Sequence, residues 1–215
     1  MISISAMLPP NRSATIPALA LVTQIDLAVE GEDYKIRCEY PNCIAASMGS
    51  VHPPLTLYID NVPAVTWNSF MAQGLDDIVE CYGRSPLTCL TVSGNHGYAT
   101  VVAWERVFRT FPLLEKLNIG GRTMCSVSKV FLGLHAASSN HSDSPVACPN
   151  LKNVRVEGLG SADTYEAMRE CFRYRGDRGA ILQALNLVGL FDVTSELRLA
   201  FRNDLFKAVD FIHTK

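Results

Sequence analysis

An excess of charge of either sign is missing from this chain, and charge of any kind is scarce. Asp and Glu number 21 against 19 Lys and Arg, and together they make up 19% of the 215 residues. A net charge of −2 gives no general attraction to nucleic acid or to an anionic lipid surface. A charged fraction below the usual quarter predicts extensive burial. Long apolar runs are also missing. The opening MISISAMLPP has neither the basic cluster nor the unbroken apolar stretch of a secretory signal. The segment IPALALVTQIDLAV is interrupted by Gln24 and Asp26 well short of a membrane span. These absences predict a cytoplasmic or nuclear protein that engages neither nucleic acid nor membrane. Seven scattered cysteines, an odd number, fit that compartment better than a disulfide framework. Asn11 and Asn140 head Asn-x-Ser triplets that matter only in a secreted chain.

Catalytic and metal signatures are thin. Cys38-Glu-Tyr-Pro-Asn-Cys43 has the spacing of half a zinc site, but zinc asks for about four ligands and only His52 stands nearby. Ser93-Gly-Asn-His-Gly97 looks like a phosphate loop, yet it lacks the Lys-Ser/Thr of a Walker loop and the three-glycine dinucleotide spacing. Cys125, Cys148 and Cys171 have His135 and His141 as candidate bases, with no nucleophile signature around any of them. Arg169, Arg173, Arg175 and Arg178 are interleaved with acids, the pattern of a solvated helix face. Trp67 and Trp104 read as core residues. No catalytic residue, metal or cofactor is expected.

What the chain does have is a phrase that returns. FPLLEKLNIGG, residues 111–121, places Leu114, Leu117 and Ile119 at relative positions 1, 4 and 6. Leu87, Leu90 and Val92 repeat that spacing, as do Leu151, Val154 and Val156, and then Leu182, Leu185 and Leu187. Weaker copies precede them: Val22, Ile25 and Leu27, then Leu57 and Ile59 with Pro54 in the first slot. The first slots fall at 22, 54, 87, 114, 151 and 182, so each interval leaves room for one helix. Helical spacing and capping residues predict helices at about 66–82, 100–110, 162–175 and 195–212, with a shorter one near 124–136.

Strand, crossover helix and strand in repetition make a parallel sheet. In a doubly wound fold both sheet faces are buried and the strands are apolar throughout. Here Lys116, Asn118, Asn153, Arg155 and Glu157 alternate with the apolar slots, so one face is wet. The fold class expected is therefore α/β: an irregular leucine-rich-repeat-like solenoid of about six strand copies, strands on the inner face and helices outside. Residues 1–20 are weakly patterned, 21–215 form a single domain, and the Ser/Asn/Pro-rich stretch 134–150 is expected to be a mobile loop.

The later half resembles the C-terminal leucine-rich region of fungal F-box proteins. FPLLEKLNI at 111–119 and SDSPVACPNLKNVRVEGLGSADTYEAMRECFRYRGDRGAILQALNLVGL at 142–190 carry the likeness, which covers roughly residues 54–213. Phe111-Pro112 and Cys148-Pro149-Asn150 stand where such proteins open a repeat after a helix. The resemblance implies a substrate-recruiting module of a ubiquitin-ligase adaptor. The F-box itself is not found: Leu8-Pro9-Pro10-Asn11 leads into small and apolar residues. That leaves recruitment of the ligase scaffold without sequence support.

Strand positions 3, 5 and 7 face away from the core and form the expected partner surface. Its candidates are Asp26, Tyr58, Asp60, Thr91, Lys116, Asn118, Asn153, Arg155, Glu157 and Asn186. Tyr58 and Arg155 are the expected anchors, since aromatic and arginine side chains dominate interface energetics. The mixed charge suits a protein or peptide partner on the inner sheet face. The competing reading is a small α/β enzyme or ligand-binding protein, with its site at the strand ends near Gly94–Gly97 and His96 in it.

Overall fold

The computed structural model describes residues 3–30, 33–41, 55–59, 67–121, 126–139, 145–158, 161–189, 195–205 and 208–214. Helices α1 (Ile4–Met7) and α2 (Arg12–Thr15) and a 3-10 turn (Pro17–Leu21) lead into β1 (Gln24–Glu30), β2 (Asp33–Glu39) and β3 (Leu55–Ile59). Helix α3 (Trp67–Tyr82), β4 (Cys89–Ser93), a 3-10 turn (His96–Tyr98), α4 (Val101–Thr110) and β5 (Lys116–Gly120) follow. The chain continues through α5 (Ser128–Ser139), β6 (Asn153–Glu157), α6 (Ala162–Gly176), β7 (Leu182–Val188), α7 (Ser195–Leu205) and β8 (Val209–Thr214).

One open sheet of eight strands holds these together, in the order β3-β2-β1-β4-β5-β6-β7-β8. Neighbours are parallel from β1 through β4 to β8, while β2 pairs antiparallel with both β1 and β3. The fold is thus mixed α/β rather than an all-parallel stack. Side chains alternate along each central strand as a pleat requires. Leu90, Val92, Leu117, Ile119, Val154 and Val156 are each no more than 1% exposed. They join one core with Phe70, Leu75, Trp104, Phe108, Phe131 and Phe172 from the helices. The first slots of the repeat (Val22, Leu87, Leu114, Leu151 and Leu182) turn inward with them. Truncating one of these residues leaves a cavity in a close-packed interior. Leu117→Ala is expected to cost about 3 kcal/mol in a denaturant titration, and an unchanged midpoint would contradict the register.

The repeat is visible in the backbone as well. Thr23 O accepts from the N–H groups of Thr88 and Cys89, Thr88 O from Glu115 and Lys116, Glu115 O from Lys152 and Asn153, and Lys152 O from Gln183 and Ala184. The same forked contact opens four successive strands. The chain turns into two of them by one device: Leu114 N–H donates to Phe111 O, and Leu151 N–H to Cys148 O.

The structure corrects several expectations. Strand β2 lies outside the expected repeat: Tyr34, Ile36 and Cys38 are fully buried and Lys35 and Arg37 exposed, a period-2 pattern lacking the 1-4-6 spacing. Its insertion turns the 54–59 copy into an antiparallel edge strand rather than the second rung of a ladder. The helix expected over 195–212 ends at Leu205, and residues from Val209 add a parallel strand to β7. Phe201, Leu205 and Val209 mimic helical spacing across that break. Gly176 permits it, because a Cβ there would lie 2.8 Å from the Ala208 Cβ. The loop expected over 134–150 begins later, because Ala136 and Ala137 prolong α5 to Ser139. Residues 140–144 lie outside the described residues.

Candidate functional site

Among the described residues the helices pack on one face of the sheet, and the other face carries the exposed side chains of Asp26, Lys116 and Arg155. Cα pairing fixes three rows across that second face. One runs Glu39, Gln24, Cys89, Lys116, Asn153, Ala184 and Phe211. The next runs Thr56, Arg37, Asp26, Thr91, Asn118, Arg155, Asn186 and His213. The third runs Tyr58, Lys35, Ala28, Ser93, Gly120, Glu157 and Val188. Eight of the ten candidates fall into rows as expected: Asp26, Thr91, Asn118, Arg155 and Asn186 in one, Lys116 and Asn153 in another, and Glu157 in the third. Asp26, Lys116 and Arg155 are exposed, and the other five half-buried.

One candidate takes another place. Tyr58, 53% exposed, pairs with Lys35 and shares its row with Glu157, not with Asp26. It stands on the edge strand, five strands from Arg155, or about 24 Å at the usual interstrand spacing. The two expected anchors cannot grip one small ligand, only an extended surface. Asp60 lies outside the described residues. The structure also adds Lys35, Arg37, Glu39, Phe211 and His213, carried by the two strands that the 1-4-6 search passed over.

Local pairing organises the face. Asn118 Nδ2 donates to Thr91 Oγ1 at 3.2 Å, a rung between neighbouring strands. Arg155 Nε donates to Glu157 Oε1 at 2.6 Å, and its NH2 joins the same oxygen. Arg37 and Glu39 form a looser pair at 3.6 Å. Thr91, Ser93, Asn118, Ile119, Gly120, Arg155 and Glu157 line a depression of about 410 Å³.

The strand-end alternative centres on residues 94–98. Gly94 has φ 132°, and a Cβ there would meet Val29 O at 2.5 Å, so only glycine turns the chain off β4. Asn95 Oδ1 accepts from Gly97 N–H, and Lys129 Nζ donates to Gly97 O at 2.6 Å. His96 is fully buried, its ring tilted against that of Trp104 at 6.0 Å, with Nε2 2.9 Å from Gly120 O. Since a carbonyl only accepts, Nε2 carries the hydrogen. The imidazole therefore ties the turn after β4 to the end of β5 and faces the core.

Burial lowers its pKa to about 4 from an ordinary 6.5, opposed in part by the bond to Gly120. Between those values the unfolded chain holds more protons than the folded one, so stability falls as pH drops. The loss should reach roughly 3 kcal/mol by pH 4. Wild-type and His96→Phe denaturant midpoints measured across pH 7 to 4 should diverge by that slope. Parallel curves would remove His96 as the cause.

Cys148 and Cys171 are buried thiols pushed up to about 12 by burial, with Arg175 pulling the other way. His135 packs against the Tyr174 ring, centroids 4.9 Å apart. Cys38 sits on the covered face of β2, and Cys43, His52, Cys125 and His141 lie outside the described residues. Trp104 is fully buried. Among the described residues no three His, Cys, Asp or Glu gather as a metal site, and no helix is long and apolar enough to cross a membrane. No protein-family model, curated protein or solved structure matches the chain.

Proposed function

We propose that β1 and β4–β8 with their helices form an irregular leucine-rich-repeat-like array whose bare sheet face recruits a protein or peptide partner without catalysis. The observation that carries this reading is the pairing of one helix-covered face with one open face crossed by rows of Asp26, Thr91, Asn118, Arg155 and Asn186. An open, mixed-charge surface spanning eight strands suits a macromolecule better than a small substrate, which calls for an enclosed pocket. The forked contact repeated at four strand starts supports the array. On the F-box resemblance this is the substrate-recruiting half of a ligase adaptor, acting in the cytoplasm or nucleus.

A photo-crosslinking residue placed at Asn118, and separately at Val102 on the helix layer, tests the reading in cells that express the protein. A discrete adduct from Asn118 alone is expected, and Arg155→Ala should reduce it severalfold while leaving the melting temperature near wild type. Adducts only from Val102, or none from Asn118, would overturn it. The strand-end reading has less to recommend it, because His96 faces the core rather than solvent.

A further inference from the structure

We infer that the outer edge of β8 pairs antiparallel with β8 of a second copy of this chain, a dimer contact separate from the recruiting face. Among the described residues β8 closes the order of the sheet, with β7 on one side and no strand on the other. Ala208 O accepts from Leu182 N–H, so strand alternation turns the N–H and C=O groups of Val209, Phe211 and His213 to the open side. Another extended backbone satisfies such a row of donors and acceptors all at once. Edge strands are ordinarily blunted by lysine or proline. The six residues of β8, VDFIHT, contain neither.

Apolar exposure is concentrated at the same end of the array. Phe211 is 66% exposed, its ring stacked on His213 at 6.5 Å, and Leu199 on α7 is 61% exposed. Asp204 of α7 accepts from Arg169 of α6, and Phe201 is buried. At 100° per residue Leu199 stands about 160° round the helix from Phe201 and about 140° from Asp204, so it points away from α6. A repeat array ordinarily finishes in a polar capping unit. Here the last helix and the last strand both present large apolar side chains instead.

Self-pairing fits what this edge offers. A two-fold axis at Phe211, perpendicular to the sheet, sets Phe211 beside its own copy, Val209 opposite His213 and Asp210 opposite Ile212. Every outward backbone group of those residues finds a partner, no like charges oppose, and the two phenylalanine rings meet on the open face. Both helix layers stay on one side. A parallel arrangement in register would instead set Asp210 against Asp210. Pairing of β8 with the β3 edge of the next copy would not close and would build filaments.

Sedimentation velocity of the 215-residue chain over a wide concentration range, with hydrogen exchange at both ends of that range, tests the contact. A reversible dimer is expected, with the Phe211 and His213 amides protected only where it forms. Phe211→Lys, at an exposed site, should raise the dissociation constant at least about tenfold and leave the fold of the monomer intact by circular dichroism. Arg155→Ala should leave dimerisation unchanged. A monomer at every concentration, a filament, or a dimer indifferent to Phe211→Lys would overturn the strand pairing. So would a dimer whose Phe211 and His213 amides exchange as fast as in the monomer. None of those results touches the recruiting role, which stands or falls on the Asn118 crosslink.

Discussion

Arg175→Ala should lower the unfolding free energy by about 5 kcal/mol, the largest effect of any single substitution argued from this structure. Arg175 lies in the last turn of α6, fully buried, and its hydrogen-bond partners among the described residues are backbone carbonyls. Its NH1 donates to Ala147 O and its NH2 to Cys148 O at 2.9 Å, and burial lowers its pKa. Those carbonyls belong to the turn that opens β6, where Cys148 has φ 48°. A left-handed backbone at a non-glycine residue costs about 1 kcal/mol and persists only when its surroundings enforce it. The enforcement is double. The Cys148 thiol donates back to Phe108 O and Phe111 O in the preceding repeat, at 3.3 and 3.4 Å. Alanine at 175 would leave a large cavity and two unsatisfied carbonyls together. Arg175→Lys keeps the charge but loses the fork, and should cost about 2 kcal/mol. Denaturant midpoints check both, and a wild-type midpoint for Arg175→Ala would show that the turn holds itself.

Asp77→Ala should cost about 4 kcal/mol, and it should act on the start of the chain. Asp77 lies fully buried on α3 and accepts from Ile4 N–H at 3.0 Å, Ser5 N–H at 3.1 Å and Tyr34 OH at 2.8 Å, with Ser3 and Gln73 also donating. One carboxylate thereby caps α1, fastens it to α3 and satisfies a buried phenol on β2. Removing it orphans several donors at once, each worth about 1–3 kcal/mol when buried. Asp77→Asn keeps the shape, but its amide nitrogen would face donors, so an intermediate loss is expected. Hydrogen exchange should show Ile4 and Ser5 losing protection before β4–β7. Global loss with no early opening at the N-terminus would reassign the role of Asp77 to the sheet.

The central sheet was legible because its signal is local and repeated. Leu114, Leu117 and Ile119 and their equivalents sit at fixed offsets, and the residues between them are polar enough to mark a wet face. The rows that follow from those offsets pair Cα by Cα from β1 to β7. Helices α3, α4 and α6 matched to within a residue or two because helical apolar spacing marks them and, for α6, the cap at Ser161 announces the start. The failures share a cause. β2 carries a different period, the 54–59 copy cannot state which strand it will pair with, and the 195–212 stretch satisfies both a helix and a helix followed by a strand. Each depends on what lies alongside in space. For the candidate surface, the composition of the middle strands was readable, whereas the contributions of Lys35, Arg37 and Phe211, and the displacement of Tyr58, were not.

The sequence alone therefore determined the alternation: which side chains of β4–β7 enter the core and which meet water, since a pleat allows only two choices and apolar burial selects between them. Tertiary structure decided the rest. Strand order at the two ends depends on hydrogen bonds that any extended backbone can make. The arginine at 175 and the aspartate at 77 look like ordinary surface charges until packing closes around them and leaves backbone groups as their partners.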